Sequence, residues 1–357
     1  MTRPSLTRHP YTAVLVVPTG IGAAIGGYAG DALPVARAMA TVVDVLITHP
    51  NVMNGAQLYW PLENGYYVEG YGLDQFAAGR WGLRPRYRNR LALVLDRGME
   101  AELQGRHRQA AAACQATLGL DLVGYVVTDA PLGVGLSQSA TGASWGTLER
   151  PDSLLRAAER AIAAGAEAIA VVARFPEPLE DAVTQAYRQG RGVDPLAGAE
   201  AVISHLVVRH FHLPCAHAPA LQAAPLDLSV AAKAAAEELG YTFLPCVLAG
   251  LSRAPQFVTQ AGGRPGDLWA DQVDAVVVPA SACGGSTVLS LAHRQALLIA
   301  VEANQTSLAV TPEALGLRAT RVGSYLEAIG LLAAHRAGLD PQALTPQVQP
   351  LPDLGQG

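Results

Sequence analysis

Lysine is almost absent from this chain: Lys233 is the single example in 357 residues, so arginine carries nearly all of the positive charge. Charge of either sign is sparse, with Asp, Glu, Lys and Arg together only 15%, against roughly a quarter in an average soluble protein. The formal net charge is -5, and the densest basic run, 80–90 (RWGLRPRYRNR), is short and isolated. Nucleic-acid binding needs clustered positive charge, so no nucleic-acid partner is expected and the run reads as a solvated connection. No apolar stretch reaches the ~20 residues of a membrane span, and the N-terminal MTRPSLTRHPYT lacks the apolar centre of a signal peptide. Four cysteines, Cys114, Cys215, Cys246 and Cys283, lie far apart with no CxxC pair. That favours free thiols in a reducing compartment over a disulfide framework, and a soluble, cytoplasmic protein is the expectation.

What the chain holds in quantity is apolar residues, 50% of the total. So much interior or interface points to a homo-oligomer or to lobes packed face to face. A length well beyond the ~100–150 residues of a typical core predicts two compact lobes or one large α/β unit. Segments 11–18, 31–43 and 44–49 read strand, helix, strand, and the rhythm resumes over 91–96, 99–119 and 121–131. This is the unit of a parallel sheet with helices on both faces. The expected fold is α/β with two Rossmann-like lobes, one over 1–150 and one over 151–340, followed by a fraying Pro/Gln-rich tail at 341–357. Asp31 is placed to cap the first helix, with Pro34 in its first turn. The aromatic-rich 51–72, with its Asn-Gly pairs, reads as a hairpin or an ordered loop.

Glycine and hydroxyl residues gather after apolar strands three times, at 19–30, 132–147 and 281–287 (SACGGST). Loops at the carboxyl ends of parallel strands share one sheet edge, where ligands bind, so the three are expected to converge. Glycine admits backbone N–H groups close to a ligand, and a helix's first turn offers unpaired donors; together they make an anion cradle. The binding candidates are Thr19, Gly20, Gly22, Gly26, Gly27 and Asp31 in the first loop, and Ser281, Gly284, Gly285, Ser286 and Thr287 in the last. On the plainer alternative, Ser286 or Thr287 only caps a helix and the glycines only turn the chain. With no lysine nearby in sequence, phosphate or carboxylate would be held by amides, hydroxyls and arginine. The run GIGAAIG (20–26) has one residue too many for a GxGxxG fingerprint, and GxxxxGK[ST] is excluded, so no cofactor is named.

Candidate chemistry is spread along the chain. Cys283 lies at a predicted helix start, where the dipole favours thiolate. Cys215 and His217, two apart on an extended segment, point the same way as a candidate nucleophile and base. His205, His210 and His212 add metal-type ligands nearby, but the spacing H-x-H-x2-C-x-H fits no closed zinc pattern and no metal is expected. His49, with Asn51 and Asn54, follows a strand end, where a general base belongs. Glu302, Asn304 and Gln305 follow another, as acid/base or hydroxyl-binding groups; Glu69, Asp129 and Arg321 qualify by position alone. The bland alternatives are a buried thiol, a loop-fixing histidine and a loop cap.

The strings VVPTGIGAAIGGYAGDALPVARAMA, LITHPNVMNGAQLYWP, YVEGYGLDQFAAGRWGL, CAHAPAL and PASACGGSTVLSLAHRQALLIAVEANQTSL carry a resemblance across nearly the whole chain. It resembles a domain-of-unknown-function family of cyanobacteria and plant plastids, which implies an origin in oxygenic phototrophs and brings no activity with it. A looser similarity joins strand, GGST, helix, a strand ending in Glu, and NQ to the donor-binding half of two-domain nucleotide-sugar glycosyltransferases. That similarity implies Gly284, Gly285 and Ser286 at the diphosphate, Glu302 and Gln305 at the sugar or ribose, and 20–27 facing the acceptor. The basic residue usual near the diphosphate has no evident counterpart. The leading expectation is therefore an enzyme that binds a phosphorylated or carboxylated small metabolite between glycine loops, with glycosyl or group transfer as its chemistry. The alternatives are a Cys/His hydrolase or lyase, and a non-catalytic metabolite-binding or assembly protein.

Overall fold

The computed structural model describes residues 9–28, 30–53, 60–139, 142–177, 182–222, 226–238, 244–346 and 351. The chain opens with β1 (Thr12–Leu15), α1 (Leu33–Ala40), β2 (Val45–Thr48), α2 (Pro50–Met53), β3 (Gly65–Tyr67), α3 (Gly70–Ala77) and β4 (Gly82–Arg84). A middle segment holds β5 (Leu91–Leu95), α4 (Ala101–Leu118), β6 (Leu122–Val127), β7 (Val134–Gln138), β8 (Ser144–Leu148), α5 (Pro151–Ala163), β9 (Ala168–Arg174), α6 (Ala182–Arg188), α7 (Ala197–Phe211) and β10 (Cys215–Ala220). Then come α8 (Ala232–Glu238), α9 (Leu244–Arg253), β11 (Gln256–Val258), β12 (Val273–Pro279), α10 (Ser286–Ala292), β13 (Leu297–Val301), β14 (Thr320–Val322) and α11 (Tyr325–Ala337).

Ten strands form two parallel sheets, in the orders β14-β13-β12-β1-β2-β3 and β10-β9-β5-β6. The protein is therefore α/β, as the β-helix-β rhythm predicts. LALVL (β5) is apolar and buried at every position, and TAVL (β1) is buried throughout with Thr12 as its one polar residue, the pattern of strands covered on both faces. Helices α3 and α10 pack on one face of the larger sheet, and α5 and α7 on one face of the smaller. Between the sheets one continuous apolar cluster joins Leu15, Leu46 and Ile299 to Leu93, Val172 and Ala218, with Leu248 and Leu251 of α9 among its members.

Sheet membership is nested. The six-stranded sheet takes three strands from before residue 68 and three from after residue 272, while the four-stranded sheet lies wholly between. Residue 150 thus falls inside the inserted segment. In the larger sheet the winding reverses between β1 and β12, and in the smaller between β5 and β9. Crevices outside the carboxyl ends of strands at such reversals are where open parallel sheets bind ligands.

Three local readings change. Segment 51–72 is no hairpin: β3 pairs in parallel with β2 (Leu46 opposite Gly65), and α2 lies between them. Asn54 lies outside the described residues. The glycine-rich 132–147 is itself a hairpin, β7 antiparallel to β8. The basic run 80–90 includes β4, and four of its five arginines are ion-paired: Arg84 with Asp267, Arg86 and Arg90 with Glu167, and Arg88 with Asp121, while Arg80 donates to Gln75.

Candidate functional site

The stretch after β13 draws the glycine loops together at the β1/β12 reversal. On one side Ala24 N–H donates to Gln305 O (2.8 Å) and Ser307 N–H to Ile21 O (2.8 Å). Asn304, fully buried, accepts from Ile25 N–H (2.9 Å) and donates to Ile25 O (2.9 Å) and the Tyr325 hydroxyl (2.7 Å). On the other side Val310 N–H donates to Ser281 O and Cys283 N–H to Val310 O, while Ser281 Oγ and Thr306 Oγ1 share a 2.8 Å hydrogen bond. The β7–β8 hairpin joins through Ser144 N–H to Gly20 O, 3.0 Å. All three glycine-rich stretches therefore meet. Asn304→Ala strands both backbone groups of Ile25 away from their partners and is expected to cost about 2 kcal/mol, read as a lower denaturant midpoint at unchanged slope; an unchanged midpoint would contradict this account of the loop.

Most of the glycines face protein, which corrects the cradle expected of them. A Cβ on Gly20 (φ +72) would lie 2.7 Å from Ser144 Oγ, on Gly22 3.0 Å from Val193, on Gly26 (φ +88) 2.7 Å from Val17, and on Gly27 2.2 Å from Ala23 O. On Gly284 it would lie 2.9 Å from Val310, whereas on Gly285 it would meet nothing within 4 Å. Thr19, Gly284, Gly285 and Ser286 are exposed. Asp31 does not cap α1, whose N-cap is Ala32; Pro34 does sit in the first turn. Its carboxylate instead accepts from Gly26 N–H (2.6 Å) and pairs with Lys233 (3.1 Å), whose ammonium also donates to Ala24 O (2.6 Å). Burial raises the Asp31 pKa, and Lys233 opposes it. The chain's one lysine thus lies on the glycine loop, 209 residues from Ala24 in sequence, so the loop has the ammonium that local sequence denies it.

At the last loop, the start of α10 already has an anion. Gly285 is its N-cap, and Thr287 donates both Oγ1 (2.6 Å) and its backbone N–H to Asp74 of α3. Neither thiol has the environment of a nucleophile. Cys283 is fully buried, and burial pushes it up to about 11, opposite to the lowering expected of a helix start. Cys215 is fully buried on β10, and its pKa is also raised by burial. His217 shares that strand face but engages Ser204 Oγ (3.2 Å) and, at 3.5 Å, Glu200.

The strand-end groups are engaged as well. His49 Nε2 accepts from Val17 N–H (3.0 Å), and burial lowers its pKa to about 4, so the ring is neutral with its lone pair on backbone. Asn51 donates to Val17 O and Pro18 O. Glu69 caps α3 through Tyr71 and Gly72 N–H and pairs with His205. Glu302, exposed, pairs with Arg321 (3.1 Å), which also holds Glu313; Asp129 is held by Arg156 and Ser153. Among the described residues no group of three His, Cys, Asp or Glu side chains is arranged to hold a metal. The sequence reading missed Lys233, Asp74 and Ser144, and also Tyr28 and Tyr187, whose rings stack at 4.4 Å. Lysine's rarity was the one available signal.

These features define a parallel α/β protein whose loops close over a winding reversal. The chain belongs to the family described as "Protein of unknown function (DUF3326)", which matches residues 12–345. A Synechococcus protein named "Uncharacterized lipoprotein" is 59% identical over 335 residues, covering 94% of this chain and 93% of its own. That places the chain among relatives of a cyanobacterial protein. No solved structure matches, and the similarity to nucleotide-sugar glycosyltransferases gains no support from the comparisons. No helix among the described residues is long and apolar enough to cross a membrane.

Proposed function

We propose that the protein binds a small phosphorylated or carboxylated metabolite in the crevice outside β1 and β12, as an enzyme of glycosyl or group transfer. The observation that carries this reading is the lacing of three glycine-rich stretches at a winding reversal, with the chain's only lysine drawn onto the same loop. Thr19, Ser286 and Gln305 offer hydroxyls and an amide on its exposed side, and Lys233, half-exposed beside Asp31, brings an ammonium to the loop. A second reading, binding without turnover, draws on His49 and Asn304, which are engaged in holding the loop: His49 Nε2 by Val17 N–H, and Asn304 by Ile25 and Tyr325.

Gly285 provides the test. Its φ of -71° suits any residue and a Cβ there meets nothing, so Gly285→Val fills crevice without disturbing the fold. Native mass spectrometry of wild-type protein is expected to show a co-purifying anion that Gly285→Val lacks at equal melting temperature. A variant that retains the anion would refute this placement, and incubation of the identified anion with the protein separates turnover from storage.

A further inference from the structure

At the opposite, amino edge of the six-stranded sheet, α3 and α10 end and β12 begins. An open cavity of about 530 Å³ lies there, within the range of small-molecule sites. Its wall carries two guanidinium groups, an indole and a carboxylate: Arg264, Arg294, Trp269 and Asp271.

Arg294 is fixed in place. Its Nε and Nη2 donate to Ala77 O (3.0 Å) and Ala78 O (2.8 Å) at the end of α3, where a helix favours a cation. Gly79 (φ +75) permits this, because a Cβ there would stand 2.4 Å from Nη2. Nη1 is left without a protein partner among the described residues. Arg264 is exposed, and the carboxylate beside it, Asp267, is taken by Arg84 through two 2.8 Å hydrogen bonds. Arg264 reaches Asp267 through its backbone N–H (2.7 Å), and among the described residues its guanidinium makes no hydrogen bond, its charge acting on Asp267 only at a distance. The Trp269 ring lies against bare backbone: Cβ atoms on Gly82 and Gly263 would be 2.9 and 3.1 Å from it. Two uncommitted guanidinium edges and a rigid aromatic surface thus share one cavity.

We propose that this cavity binds a planar, one-ring organic anion. The ring lies on Trp269, the carboxylate or phosphate is held between Arg264 and Arg294, and Asp271 accepts from a donor on the ring. This site is independent of the crevice at the β1/β12 reversal.

Calorimetric titration of the full chain with phenyl phosphate, benzoate and inorganic phosphate tests it. Phenyl phosphate or benzoate is expected to bind at least about tenfold more tightly than inorganic phosphate, and the tighter of the two names the acid group. Arg264→Gln and Arg294→Gln should each weaken that binding by about tenfold, and Trp269→Leu should erase the advantage over inorganic phosphate. Gly285→Val should leave it unchanged. The Arg264 side chain makes no hydrogen bond among the described residues and touches the fold only through its charge near Asp267, which Arg84 already holds, so Arg264→Gln decides the matter even where Arg294→Gln fails to fold. Absence of binding heat with both aromatic acids, affinity unchanged in Arg264→Gln, or loss of binding in Gly285→Val overturns the proposal.

Discussion

Gly198→Val is expected to leave little folded protein. A Cβ at 198 would stand 2.3 Å from Trp145 Cα and 2.5 Å from both Trp145 N and Ser144 O, and on the other side a Cβ at Gly146 would stand 2.2 Å from Ala199 Cβ. The first turn of α7 and strand β8 therefore touch backbone to backbone. A side chain at 198 has no flexible neighbour to displace, so the hairpin must lift off the helix, at a cost of about 3 kcal/mol or more. Ser144 moves with it, and Ser144 carries contacts to both Gly20 and Gly198, so surviving protein should also bind the crevice ligand poorly. Thermal melting checks this. Gly105→Ala, inside α4 with nothing within 4 Å, serves as the comparison and should stabilise by about 0.5–1 kcal/mol. Equal melting of Gly198→Val and wild type would show that the two backbones are not in contact.

The second large effect is acid destabilisation through His49. Its folded pKa of about 4 lies below the ordinary value of 6.5, because burial excludes the charged ring. Above pH 6.5 the ring is neutral in both states and the contribution is complete. Below it the unfolded chain takes up a proton that the folded chain refuses, and stability falls until the folded ring also titrates. Over that window the loss amounts to about 3 kcal/mol. Asp31 and Asp74, raised by burial, act in the opposite sense as pH falls, so the informative quantity is a difference. His49→Gln keeps an acceptor for Val17 N–H without a titrating ring, and its stability should fall less than that of wild type between pH 6.5 and 4. Parallel stability curves for the two proteins would remove His49 from the account.

The parallel sheets were legible because strands buried on both faces are apolar throughout, and alanine-rich helices separate them. Nesting was not, since the pairing of β1 with β12 joins residues 12–15 to 273–277 and leaves no local trace. The same holds for the site. Glycines after strands marked where the loops meet, but whether a glycine faces a ligand or Ser144 depends on a hairpin more than a hundred residues away. Cys283 misled for a related reason: its position at a helix start argued for thiolate, and burial beneath the loop decided otherwise. Asp74 reaches the site from a helix whose own sequence contains no binding signal, and Lys233 from one marked only by the rarity of lysine.

Nesting also sets an order of events during synthesis. By the time Ala220 has emerged, all four strands of the smaller sheet exist, whereas β1 still waits for Val273 to give it a second neighbour. Chains emerge at roughly 5–20 residues per second, so β1 spends many seconds as an open sheet edge of a half-built lobe. The crevice, which needs residues 281–310 as well as 19–31, is among the last parts of the nascent protein to take shape. A ribosome stalled before residue 273 would hold a nearly finished inner sheet and no crevice at all.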